Sequence, residues 1–285
     1  MRIFLLLLLL AGCTPKYSVQ EAPKLTSIHI IDREGMTEAV SNQDRLKGYE
    51  QVNFLKPQPF QKVLRVYSRD EKGNSCAYIT TYHPNGELKQ YLEVVNNRAF
   101  GVYKEWHTNG VLKAQAYVVE GIGDISLPAE KSWVFDGESM AYDKSGALIA
   151  SIPYSRGSLE GTSFYYHKNG TVWKELPYHS NLLCGNVNIY LENGSLLQTT
   201  PYVNGLKEGN AIRYWPDGSI SSKEFYQNGL LLTGAYYDLQ GELTTSISNG
   251  EGQRCLFGKC NAAEIQEYHH GVQEGAIQKF DEDGI

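Results

Sequence analysis

The chain has little of what a catalyst or a nucleic-acid binder needs. Its formal charge is −6 over 285 residues, and no basic stripe breaks the acidic balance, which excludes the electrostatic footprint of a protein that wraps a polyanion. There is no Gly-x-Ser-x-Gly elbow, no His-Glu-x-x-His and no phosphate-cradling loop; Gly252 to Lys259 has the wrong spacing and lacks the following Ser or Thr. Carboxylates are scattered and sit mostly at turns, so no general acid–base pair can be nominated. Uninterrupted helical windows are missing as well. A Gly or Pro breaks each apolar stretch, and Pro153, Pro177 and Pro201 recur where a helix interior would lose a hydrogen bond. These absences point to an all-β, non-catalytic protein without a cofactor or a metal site.

What the chain does have is a period. An aromatic residue stands four positions ahead of a turn glycine in Tyr82-His83-Pro84-Asn85-Gly86, and the pattern returns with Trp106 before Gly110, Tyr142 before Gly146, Tyr166 before Gly170, Tyr190 before Gly194, Tyr214 before Gly218, Tyr237 before Gly241 and Phe280 before Gly284. The steps between these glycines are 24, 36, 24, 24, 24, 23 and 43 residues, the signature of a repeat protein. Nine residues before most of them lies another glycine (Gly101, Gly137, Gly161, Gly185, Gly209, Gly275), and two residues after lies an aliphatic such as Leu88, Leu112 or Leu196. Each unit therefore reads as strand, tight turn, strand. Asn-Gly and Asp-Gly predict two-residue type I′ loops, which pair the aromatic four before the glycine with the residue three after it. A second aromatic (Tyr154, Tyr178, Tyr202, Tyr226) precedes further turn signals at Gly157, Asn204-Gly205 and Asn228-Gly229.

The string Gly-x4-Tyr/Trp-x3-Gly-x-Leu followed by Tyr-x2-Gly, spanning roughly residues 77 to 284, resembles the MORN-like variant repeat of bacterial proteins often labelled YwqK-type antitoxins. The resemblance implies an elongated antiparallel β-meander of repeated hairpins, about 24 residues each, and no reaction. It also implies, as one alternative, that the repeats neutralise a toxin. The long spacers, Gly110 to Gly137 and Gly241 to Gly275, depart from the pattern. Their inner segments, Gly121 to Trp133 and Asn249 to Glu264, are where partner contacts, or an envelope enzyme's chemistry, would be sought.

At the N-terminus, Arg2 precedes an apolar run from Ile3 to Leu10 and then Leu10-Ala11-Gly12-Cys13. About ten residues at ~1.5 Å each cover only half of a ~30 Å hydrocarbon core, so the segment reads as a signal peptide over 1–12 and not a spanning helix. The Leu-Ala-Gly-Cys string resembles the bacterial lipoprotein box, which implies covalent lipid on Cys13. Thr14 behind it favours the outer membrane by that family's sorting rule. The organisation expected is a lipidated tether over 13–24, an N-terminal cap region over 25–76 with strands near Thr26–Ile31 and Lys62–Tyr67, and the hairpin array over 77–285. That array looks unfinished, because only Ile285 follows the turn at Gly284.

The remaining cysteines divide by spacing. Cys255 and Cys260 are close enough for a local disulfide in an oxidising compartment. Cys76 and Cys184 lie about eight strands apart, on the order of 40 Å, and are expected to stay unpaired within the chain. His83, His107 and His167 share one repeat position, read as a polar residue beside an exposed turn. The aromatic ladder of Tyr82, Trp106, Tyr142, Tyr166, Tyr190, Tyr214 and Tyr237 reads chiefly as cross-strand packing and secondarily as an interaction face. The expected partners are a protein of the bacterial envelope and, through the lipid, a membrane.

Overall fold

The computed structural model describes residues 24–58, 61–258 and 261–280. Their strands form one open antiparallel sheet of 24 segments. The strand Lys24–Asp32 lies between Thr37–Val40 and Gln61–Arg69. From Gln61–Arg69 onward each long strand pairs with the next long strand, through Ser75–Tyr82 and Leu88–Val95 to Ala262–His269 and Val272–Lys279, while the two-residue segments Val134–Phe135, Ser158–Leu159, Leu182–Leu183 and Leu206–Lys207 pair with the strand before them, as do the strands that follow them. The expected meander is therefore observed. The two strands foreseen near the N-terminus lie inside Lys24–Asp32 and Gln61–Arg69, and the stretch between them holds Thr37–Val40 and a one-turn helix, Gln43–Lys47, capped by the Asn42 side chain.

The two edges of the meander use different turns. Along one edge, Gly86 N donates to His83 O (2.9 Å) while His83 N donates to Glu87 O (2.7 Å). The loop is therefore three residues long, a type I turn closed by a bulged glycine at φ +91°. The same pair of bonds recurs at Gly110, Gly146, Gly170, Gly194, Gly218 and Gly241. This corrects the two-residue loop expected at these positions and moves the register by one residue: Tyr82 pairs with Leu88, not Lys89, with a bulge beside it. The two-residue type I′ turns exist, but on the opposite edge. There, Asn204 (φ +49°) and Gly205 (+81°) connect the paired Val203 and Leu206, and Arg156-Gly157, Asn228-Gly229 and Asn249-Gly250 follow suit.

Interior prolines fit this sheet because the neighbouring strand is bulged. Proline lacks the N–H that an interior strand uses on both sides. Glu160, Cys184 and Glu208 each interrupt their strand and donate their own N–H to Pro153 O, Pro177 O and Pro201 O. The glycine that follows carries no side chain, so the proline ring closes over it; a Cβ on Gly185 would stand 3.2 Å from Pro177 Cγ. Across the strand, Tyr178, Tyr202 and Tyr226 pair with Gly161, Gly185 and Gly209.

A single sheet cannot bury its own faces, and the core is accordingly confined to the two ends. Near the N-terminus one face is covered by the segment around Leu46, Tyr49 and Phe54, packed on Ile28, Leu64 and Val66. The other face is covered by the first spacer, where Trp133 packs on Ile79, Leu92, Ala99 and Val118. Near the C-terminus the sheet curls back on itself. Phe257 lies 4.9 Å from Trp215 ring to ring, and Leu231 N donates to Gly271 O, so Ala211, Tyr226, Tyr236, Ile247 and Cys255 form a second core.

Both spacers thereby lose the character of free loops. Residues 121–133 are held down by Arg65 to Asp124 (2.7 Å), Gln90 Nε2 to Glu130 Oε1 (2.9 Å) and Trp133 Nε1 to Ile122 O (3.0 Å). Residues 249–264 belong to a further hairpin, Glu251–Phe257 with Ala262–His269, in which Phe257 takes the bulged position of the ladder aromatics but no Asn-Gly follows it.

Candidate functional site

Side chains at the repeat turns bind forward to the next repeat. His83 Nε2 lies 2.9 Å from Trp106 O, His107 Nε2 lies 3.0 Å from Tyr142 O and His167 Nε2 lies 2.9 Å from Tyr190 O. Trp215 Nε1 takes the same role toward Tyr237 O. The turn asparagines run a parallel track, with Asn85, Asn109 and Asn169 Nδ2 donating to Thr108 O, Lys144 O and Glu192 O at 2.7–2.8 Å. The histidine column is thus a row of inter-repeat staples, more than a polar fringe. On the other edge Asp136, Glu160 and Glu208 each accept from the backbone N–H of the residue 20 positions on, Arg156, Ser180 and Asn228.

The aromatic ladder divides between core and surface. Tyr82 is buried and donates to Phe54 O at 2.7 Å, and Trp106 packs partly against the same core. Tyr142, Tyr166, Tyr190, Tyr214 and Tyr237 are half-buried; the Tyr190 hydroxyl donates to Glu175 at 2.8 Å and the Tyr142 hydroxyl lies 3.2 Å from Met140 Sδ. Cys76, Cys184 and Cys255 are free thiols. Cys255 is buried in the C-terminal core, which pushes its thiol up to about 11. Cys260, its expected disulfide partner, and Cys13, the expected lipid site, lie outside the described residues, as does the turn at Gly284.

The middle of the array has a different character. Between Gly137 and Tyr202 the buried residues are only Ala150, Ser151, Ser163 and Thr200. One face there carries Ile152, Tyr154, Tyr165, Leu176, Tyr178, Val187, Ile189 and Tyr202, with Lys174 between Tyr165 and Ile189, placed together by the strand register, and no segment among the described residues covers it. Along the type I′ edge Leu182, Leu206 and Leu230 form an exposed column at 48%, 52% and 39% exposure. The Leu182 side chain reaches the Gly205 turn and that of Leu206 reaches Gly229.

A buried charged centre, absent from the sequence expectations, lies on the same face at the C-terminal curl. Glu224 accepts from Arg254 Nε at 2.7 Å and Nη2 at 3.3 Å, from the Tyr226 hydroxyl at 2.8 Å and from the Tyr236 hydroxyl at 2.9 Å. Desolvation alone would push the Glu224 carboxyl up. The Arg254 charge and these donors outweigh it and hold the group below the usual carboxylate range. Burial, then the Glu224 charge, pushes both tyrosine hydroxyls well up. Lys207 Nζ stands 4.6 Å from the Tyr226 ring centroid, and Arg213 Nη1 donates to Gln198 Oε1 at 3.0 Å. Both cations are pulled down by desolvation and then by the nearby Arg254 charge. Alternation was the available signal, since Arg213 and Glu224 occupy inward positions of strands that otherwise place Ala211 and Tyr226 there.

An open antiparallel meander with stapled turns, repeating every 24 residues, defines an elongated repeat protein with a binding role. Three of the repeats match the family described as the MORN repeat variant, at residues 101–119, 159–180 and 207–228, each a strand, bulged turn and strand. No curated protein matches the chain.

Proposed function

We propose that this MORN-repeat protein is a non-catalytic, lipid-anchored envelope lipoprotein that uses the uncovered middle of its sheet as a scaffold for another envelope protein. The bare apolar face from Ile152 to Tyr202 carries this reading. Tyrosine and aliphatic side chains, half-buried on a thin sheet around Lys174 and joined by an exposed leucine edge, match the aromatic enrichment of protein interface centres. The sequence Leu10-Ala11-Gly12-Cys13 supports the anchor and the outer-membrane location, and Cys13 is the residue that would carry the lipid. Membrane tethering by several acyl chains would hold the scaffold at the envelope without a spanning helix.

The test is photocrosslinking in cells from residues replacing Leu176 and Val187 on the bare face, with Lys144 on an exposed turn as control. A single envelope protein captured from the first two and not from Lys144 supports the scaffold; no protein adduct from either position removes it. Metabolic labelling with a fatty-acid analogue, lost in Cys13→Ala, tests the anchor separately.

A further inference from the structure

Where the sheet curls, an open cavity of about 130 Å³ is lined by Gln198, Arg213, Ser222, Glu224, Arg254 and Phe257 among others. Its charges do not balance. Arg254 is matched by Glu224, and the pair is closed by the two tyrosine hydroxyls. Arg213 is not matched: its guanidinium, half-buried, donates to the neutral Gln198 amide. Lys207, a strand away, meets the Tyr226 ring and hydroxyl (3.3 Å). Two guanidinium groups, Arg213 and Arg254, thus share the hollow with one carboxylate, a surplus of one positive charge in a partly desolvated site, while Lys207 stands outside the lining and feels the Arg254 and Glu224 charges. Desolvation followed by Arg254 repulsion lowers both Lys207 and Arg213. Such an arrangement is costly unless a counter-charge enters it.

We propose that this cavity binds a small oxyanion of the phosphate class, with the Arg213 guanidinium as its principal donor and Arg254 supplying the field. A planar guanidinium offers two parallel N–H bonds to two oxygens of a tetrahedral anion, which a neutral amide cannot do. The volume admits an ion of about five heavy atoms, and the Ser222 side chain lines the same wall. This assignment is independent of the protein-binding face, since its ligand is a small molecule and its lining residues, Gln198 apart, lie beyond Tyr202.

The experiment is isothermal titration calorimetry of the full chain with inorganic phosphate at pH 8 and constant ionic strength, with acetate and chloride as comparison anions. Arg213→Gln is the variant, chosen because it leaves the Glu224–Arg254 pair intact. Its circular dichroism and melting in chloride confirm folding. The expected result is saturable one-to-one phosphate binding, weaker or absent for acetate, and reduced about tenfold or more by Arg213→Gln. Absence of saturable phosphate heat in the native chain overturns the proposal. So does equal binding by Arg213→Gln, which would show an adventitious ion only.

Discussion

Arg254 and Glu224 are thirty residues apart in the chain and meet through a 2.7 Å bond in the C-terminal curl, with side-chain exposures of 18% and 7%. Removing one member strands the other in a site built for a pair. Arg254→Met and Glu224→Gln are each expected to destabilise the C-terminal end by about 3–5 kcal/mol, because an uncompensated buried charge remains. Urea unfolding followed by the fluorescence of Trp215, which sits in that region, measures it.

The same pair sets an acid limit. Glu224 is held below the usual carboxylate range in the folded chain, so the unfolded state binds its proton at higher pH than the folded state does. The stability it contributes is complete above the unfolded carboxyl's range and is lost as pH falls through the lowered folded value. Trp215 emission should therefore report loosening of the curl under acid, and Glu224→Gln should flatten that dependence. An unchanged acid profile in the variant would count against Glu224 as the controlling group.

Cys184 occupies the repeat position at which Asp136, Glu160 and Glu208 accept from a type I′ turn N–H 20 residues on. The turn it faces begins at Asn204. Cys184→Glu is expected to supply the missing acceptor and raise stability by about 0.5–1.5 kcal/mol, the usual net worth of one such bond. Thermal unfolding of the two chains side by side decides it; a lower melting temperature would mean the position does not act as a cap.

Asn169 bridges two repeats, with Oδ1 accepting from Thr171 N at 3.0 Å and Nδ2 donating to Glu192 O at 2.8 Å. Asn169→Asp keeps the acceptor and loses the donor, placing a carboxylate oxygen against a carbonyl. A loss of about 1–2 kcal/mol is expected. Asn193→Asp is the control, because that side chain accepts from Ser195 N and has no donor bond to the next turn among the described residues.

The sequence carried the meander and the place of most turns, because glycine at positive φ leaves a mark that nothing else makes. It did not carry the turn class. Asn-Gly serves a type I′ loop at Asn204-Gly205 and the end of a type I turn with bulged glycine at Asn85-Gly86, and only the backbone bond from His83 N to Glu87 O separates them. The hairpin at residues 249–264 was hidden because no Asn-Gly follows Phe257 in the sequence. The Glu224 centre was hidden for a different reason. Contacts between neighbouring hairpins follow from the 24-residue period, whereas Arg254 reaches Glu224 only because the sheet curls, and curl is a sum of small twists and bulges that no local pattern records.

Trp133 offers the sharpest test of how the two ends relate. Its ring is 8% exposed, lies 4.9 Å from that of Tyr103 and donates through Nε1 to Ile122 O, so it both fills the N-terminal core and fastens the spacer over it. Trp133→Ala should cost about 3–5 kcal/mol there. In a linear array each unit touches only its neighbours, and the loss should stay local. Amides of Ile79, Leu92 and Val118 are expected to exchange hydrogen faster in the variant, while those of Glu224, Leu231 and Tyr236, at least eight strand pairings away, keep their protection. Uniform loss along the whole sheet would mean that the bare middle transmits unfolding and that the chain melts as one cooperative body.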